Sequence, residues 1–526
     1  MPADIPPFPP GQDPDQTISY RTPRPQPPND AHTRQWPYPE ELGPTVAPPA
    51  APAKRGRGWI IALVAAVLVG VVGGGGVWAA SMLSGGGTQP HEVLPGNAVA
   101  YVRLDLDPAA NQKIALFNIA RKFSATKESF AGDDPRKALF ETMRKDAGEF
   151  TELDYAKDVE PWLGDRIGAA VLPPAQDGAE PGMVVAVQVK DEEAALAGIA
   201  KLDSTPERTK TGVAFREGYA IIADTQEEAD RYARATPLSE NERFTGDLDA
   251  LGEPGVLSFW ADLGAIAKVA GTEQDPDTMD LVRNARFTGA LRFGDDYAEL
   301  TGFARGMDVK TTETEPVKLG ELPATTAGAA GISGLGDIVR DQWAKLQKAA
   351  DAAGSGGRSL TESGAEYGLT LPDDLVTLLG KSVTVAVDGE GLSGDQPNGG
   401  VVLRTDPAKA REVLAKLEAS AAGSGVAPQL VKVEGDGKLV VATSQDYANK
   451  LSGQGTLADS ETFQLAMPGA EDATFGLYAD LDKIESLYLD GLRGEERANA
   501  EVLRAVGLSG RASADNAGFT LRVLFN

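Results

Sequence analysis

The sequence has no cysteine. That excludes disulfides, iron–sulfur clusters, Cys-ligated zinc, a thiol nucleophile and a lipidated Cys anchor. Histidine is almost as scarce: only His32 and His91 occur, and both fall in stretches that read as lying outside folded segments. Neither Ser–His–Asp chemistry nor a His-ligated metal in the core is therefore expected. Aromatic residues make up 6%, which is thin for a sugar-binding or base-stacking surface. Basic charge is also short, with 50 Lys and Arg against 77 Asp and Glu, a net charge of −27. A surface of that sign repels phosphate backbones, so no nucleic-acid partner is expected.

Glycine is plentiful, but no GxxxxGK[ST] loop occurs and no GxGxxG sits between a strand and a helix, so no nucleotide cofactor is expected. Asp388-Gly389-Glu390-Gly391, with Asp395 beyond it, lacks the alternating ligands and terminal Glu of a calcium loop and reads as a connection between strands. No metal and no other cofactor is expected.

One apolar run stands out. Trp59 to Leu83 carries no charged side chain, and about 20 apolar residues suffice to span a bilayer. Trp59 and Trp78 sit near its ends, with Leu63, Val67, Gly70 and Val77 between them. Lys54, Arg55 and Arg57 precede it, and no Lys or Arg follows until Arg103. The run predicts a single transmembrane helix in contact with the lipid bilayer, N-terminus in the cytoplasm and the bulk of the chain outside the cell membrane. A cleaved signal peptide is the alternative, with Val77-Trp78-Ala79 as its cleavage motif. Ala62, Ala66, Gly70 and Gly74 form a small-residue stripe through which two such helices could pair into a homodimer. The Pro-rich residues before the run cannot bury enough surface to fold and read as a disordered cytoplasmic tail.

The remainder of the chain repeats itself at an offset near 215–219. Trp162-Leu163-Gly164-Asp165-Arg166-Ile167 corresponds to Leu378-Leu379-Gly380-Lys381-Ser382-Val383. Val184 to Val189 followed by Asp191 corresponds to Val401 to Thr405 followed by Asp406, and Ala195, Ile199 and Leu202 match Ala410, Leu414 and Leu417 on one helix face. Gly218 to Ala223 aligns with Gly437 to Ala442, and Phe259-Trp260-Ala261-Asp262 with Leu477-Tyr478-Ala479-Asp480. The expected fold class is α+β: a disordered tail (1–57), one transmembrane helix (58–83), a linker (84–92), a first repeat (93–307), a linker (308–321) and a second repeat (322–526). Each repeat is read as an antiparallel sheet with helices.

Within that frame Asp262 and Asp480 are the candidate site residues, because they occupy equivalent strand ends in both copies. Capping of the following helix is the competing role. Gly164-Asp165-Arg166 reads as a turn with a surface ion pair, and Trp260 as core. The stretch Leu94-Pro95-Gly96-Asn97-Ala98-Val99-Ala100-Tyr101-Val102-Arg103-Leu104-Asp105-Leu106-Asp107-Pro108 resembles an uncharacterised family of single-pass envelope proteins of high-GC Gram-positive bacteria, a domain of unknown function. The resemblance covers about residues 90–526, including Trp162-Leu163-Gly164, and implies no activity or catalytic residue. The expected function is non-enzymatic binding or scaffolding in the cell envelope with an envelope protein as partner. A carrier or sensor of an apolar ligand is the alternative, and a carboxylate-dependent cell-wall hydrolase the third reading.

Overall fold

Sixteen strands hydrogen-bond into one antiparallel sheet in this computed structural model. The structure describes residues 87–526 apart from 108, 129, 133, 148–152, 177–178, 203–210, 271–281, 308–313, 353–358, 393–396, 424–429 and 514–515. All of them belong to one unit, Arg55–Asn526; the other unit, Met1–Lys54, lies outside the described residues. The first copy supplies β1 (Ala100–Asp105), β2 (Leu163–Leu172), β3 (Gly182–Val189), β4 (Gly212–Arg216), β5 (Tyr219–Ala223), β6 (Leu257–Asp262), β7 (Arg286–Gly294) and β8 (Tyr297–Arg305). The second supplies β9 (Thr326–Ser333), β10 (Ser382–Asp388), β11 (Gly399–Arg404), β12 (Val431–Gly435), β13 (Lys438–Ala442), β14 (Phe475–Asp480), β15 (Leu503–Ala512) and β16 (Asn516–Phe525).

The strand order is β4-β5-β3-β2-β1-β6-β7-β8, then β16-β15-β14-β9-β10-β11-β13-β12. Adding eight to each label of the first half gives the second half read from the opposite edge. The duplication is thus a pseudo-twofold rotation about the β8–β16 seam, and the two copies share one sheet.

Local sequence explains the connections. Asp191 caps the helix Glu192–Leu202 through Ala194 N (2.7 Å), and Asp406 caps Pro407–Gly423 through Lys409 N (3.2 Å). Thr225 and Ser444 cap the helices Gln226–Ala233 and Gln445–Ser452 in the same way. The tight β4–β5 and β12–β13 hairpins turn on Gly218 and Gly437, whose φ of 79° and 64° suits glycine.

Side chains alternate between the sheet's faces with period two. One face, the Trp260 face, buries Leu94, Tyr101, Tyr219, Phe244 and Trp260 in the first copy and Tyr447, Phe463, Met467 and Tyr478 in the second. The other, the leucine face, packs Val102, Val187 and Leu257 beneath Tyr155, Trp162 and Ile199.

Two expectations are corrected. No helix among the described residues is long and apolar enough to cross a membrane. The 18-residue helix Leu335–Ala352 carries Asp337, Arg340, Asp341, Lys345, Lys348 and Asp351 along its length, far too much charge for a bilayer. On this finding the single-pass transmembrane architecture and the cell-membrane localisation are corrected: none of the described residues supplies a membrane-spanning helix. Trp59, Leu63, Val67, Gly70, Val77 and Trp78, with Lys54, Arg55, Arg57 and the Pro-rich tail, lie outside the described residues. Secondly, the end of the 84–92 linker is part of the fold. Pro90 is buried, and His91 packs against Tyr101 and Phe244 with ring centroids 6.1 and 5.5 Å apart. Val317 and Leu319, within the other expected linker, are buried in the second copy.

Candidate binding face

A single row of side chains crosses the whole leucine face, one residue from each strand. From the second-copy edge it runs Lys432, Val441, Val401, Val385, Ala330, Leu477, Leu508, Leu521. Across the seam it continues Leu300, Leu291, Leu257, Leu104, Ile167, Val187, Ala220, Phe215. Lys432, at the edge, is the only polar member.

Burial along this row is uneven. In the first copy Leu257, Val187 and Ala220 are buried. In the second, Val385 is 46% exposed and Leu477 43%, with Ala330 exposed between them; Ile332, in the adjacent row on the same face, is 39% exposed. Register pairs these positions with their counterparts. Tyr101 faces Trp260 and Ala170 as Ala329 faces Tyr478 and Ala386. Ala169 is therefore the counterpart of Val385, Leu104 of Ile332 and Phe259 of Leu477. Ala169 is 4% exposed, and Leu104 and Phe259 are packed into the first copy's core.

The elements that follow the first strand differ between the copies: in the first, Leu139, Phe140 and Tyr155 pack with Trp162 and Ile199 in the cluster that holds Ala169, Leu104 and Phe259. In the first copy the helix Ala110–Lys122 lies on β7 and buries Ala115, Leu116, Ile119 and Ala120 against Phe293 and Phe525. Its counterpart Leu335–Ala352 packs chiefly on the helix Asp373–Leu379 and leaves Ile338 and Leu346 exposed. The second copy therefore presents a contiguous apolar patch on three adjacent strands, an arrangement that marks interaction surfaces when the patch is rimmed by polar groups. The chain between β14 and β15 carries Glu485, Asp490, Glu495 and Glu496.

Asp262 and Asp480 lie on the opposite face. Asp262 accepts a hydrogen bond from Ala265 N (2.9 Å), capping the helix Leu263–Val269, and pairs with Arg243 (2.9 Å). Asp480 is buried, accepts from Lys483 N (3.3 Å) and from the Tyr478 hydroxyl (3.2 Å), and pairs with the Lys483 ammonium (3.2 Å). Burial and the adjacent carboxylate push the Tyr478 phenol far above its ordinary range. Four strands separate β6 from β14, a lateral spacing of roughly 24 Å, and the register sets Asp262 level with Asn516 but Asp480 level with Leu524 at the other end of β16, so the two carboxylates do not form a pair of the 5–10 Å kind that glycoside hydrolysis uses.

A buried charged triad escaped the sequence. Arg103 and Arg166 flank Asp105 at 2.5 and 3.6 Å, all three nearly fully buried. Burial raises the Asp105 pKa, and the two guanidiniums oppose that rise. Arg166, expected at a surface turn, points under the sheet's cover; Asp165 is the member that pairs outward, with Arg136 at 3.1 Å. The period-two alternation Arg103-Leu104-Asp105 placed both charges on one face, and this was the available signal. The second copy holds Gly331, Ser333 and Ser382 at the counterpart positions, and both serine hydroxyls are buried without a partner. The triad is therefore dispensable to the repeat and reads as packing of the first copy. Among the described residues no cluster of His, Asp and Glu is arranged to hold a metal ion.

Residues 61–245 match a family described as "Protein of unknown function (DUF3352)". The match ends within the first copy, before β6. No curated protein matches the chain.

Proposed function

We propose that this chain is a non-catalytic binding protein, and that the open leucine face of its second copy receives an apolar protein surface flanked by basic side chains. The observation that carries this reading is the exposure of Ile332, Val385 and Leu477 on adjacent strands whose first-copy counterparts are covered. Duplication preserved the strand order and removed the cover from one copy only. The patch is open and flat, which suits a protein surface better than a small ligand, since ligand sites enclose most of what they bind. Charge selects among partners. At −27 per chain, two copies repel each other, whereas a basic rim on the partner complements that net negative charge.

A photo-reactive residue placed at position 477 of the full chain, with one at Asp436 in the β12–β13 turn as control, tests this. The expected result is one protein adduct at 477, absent at 436, lost on introducing Val385→Lys and weakened by salt. A covalent adduct with a second copy would turn the reading to a homodimer. A lipid adduct would turn it to an apolar-ligand carrier, and no adduct at 477 would end it.

A further inference from the structure

We propose that a pocket at the pseudo-twofold seam, on the Trp260 face, binds a small monocarboxylate with an apolar body through Arg511. The pocket has a volume of about 570 Å³ and lies among Arg511, Asn516, Phe303, Gly518, Thr520 and Asp472. That volume is in the range of small-molecule sites.

Comparison of the two copies identifies the arginine. Arg292 faces Glu299 across the β7–β8 hairpin as Arg511 faces Gly518 across β15–β16. In the first copy Arg292 is fully engaged. It donates to Glu253 O (2.9 Å) and Leu251 O (2.9 Å), and its Nη1 lies 3.4 Å from the Glu299 carboxylate. The second copy keeps the arginine and removes its partner: Gly518 stands where Glu299 stands. Arg511 is exposed at the pocket and, among the described residues, has no side-chain partner. The missing glutamate side chain also helps make the space. A guanidinium in that setting is built for a carboxylate, which it can grip with two parallel hydrogen bonds.

The remaining walls decide which anion. Phe303 and the glycine backbone of Gly302, Gly510 and Gly518 offer apolar surface beside the guanidinium. Asp472, without an ion pair of its own, disfavours a dianion such as phosphate more than a monoanion. The site is on the face opposite the proposed docking patch and stands or falls independently of it.

The test is calorimetric titration of the full chain with benzoate, benzyl alcohol and inorganic phosphate, on the parent and on two variants. Arg511→Gln removes the charge. Gly518→Glu restores the first copy's ion pair, and its Cβ has room, with Gly302 O and Phe303 Cβ the nearest atoms at 3.8 and 3.9 Å. Saturable binding of benzoate is expected, with benzyl alcohol and phosphate each weaker and both variants reducing benzoate affinity by about tenfold or more. Benzoate binding unchanged in both folded variants would overturn the proposal. So would phosphate binding as tightly as benzoate, or no saturable binding of benzoate.

Discussion

Thr301 faces Thr520 across the β8–β16 seam with their hydroxyl oxygens 3.1 Å apart, and each is the other's duplicate. The pseudo-twofold axis passes between them. Thr301 also donates to Phe519 O at 3.2 Å, so the pair joins backbone and side chain across the strands that unite the two halves of the sheet. Thr301→Val strands the Thr520 hydroxyl and should cost about 1 kcal/mol, whereas Thr520→Val leaves Thr301 donating to Phe519 O and should cost less. The double variant should cost little more than Thr301→Val alone, a coupling that a urea-denaturation mutant cycle reads directly. Strict additivity would show that the hydroxyl pair contributes nothing to the seam.

The buried triad and its second-copy counterpart predict opposite outcomes at matched positions. Asp105→Ala leaves Arg103 and Arg166 buried without their carboxylate and should destabilise by about 3–5 kcal/mol. Ser333→Ala removes a buried hydroxyl that has no partner and should be neutral or stabilise by up to about 1 kcal/mol. Chemical denaturation of both variants checks the contrast. A loss at Ser333 comparable to that at Asp105 would mean the serine is engaged.

The strand and helix pattern was legible because each copy carries it independently. The matched stretches Val184 to Val189 and Val401 to Thr405 fall on β3 and β11, and Ala195 and Ala410 on the helices that follow them. Two things were not legible. The joining of both copies into one sheet depends on the pairing of β8 with β16, whose contact spans more than 200 residues and leaves no local signal. The open face was hidden too, since Ile332, Val385 and Leu477 alternate like any half-buried strand, and only tertiary packing decides whether such residues are covered. The membrane reading rested on the composition of the run Trp59–Leu83 alone, and no helix among the described residues supplies a membrane span.

His91 links stability to pH. Burial lowers its pKa below the ordinary 6.5, Arg103 lowers it further and Glu92 opposes them. Its Nδ1 has no partner, and its ring packs on Tyr101 and Phe244. The unfolded chain therefore binds the proton more readily than the folded one. Stability is complete above pH 6.5 and falls as pH drops from 6.5 through the folded-state value. His91→Phe, which keeps the aromatic packing, should flatten the dependence of the thermal midpoint in that window. An unchanged slope would assign the acid sensitivity to other groups.

The contrast between a covered and an open copy can be measured without knowing what binds. Ala169 and Val385 are counterparts, 4% and 46% exposed. Ala169→Val adds two methyl groups beneath the packed first-copy helices and should cost about 1–3 kcal/mol through overpacking. Val385→Ala removes the same atoms from a position left 46% exposed by the described residues and should cost less than about 0.5 kcal/mol. Leu477→Lys should likewise leave the denaturation midpoint nearly unchanged, because a lysine stem can lie along the strand with its ammonium in water. It should nevertheless abolish any association that uses this face. A large stability loss from Leu477→Lys or Val385→Ala would mean that the face is covered in the native protein. The docking surface would then have to be sought elsewhere on the sheet.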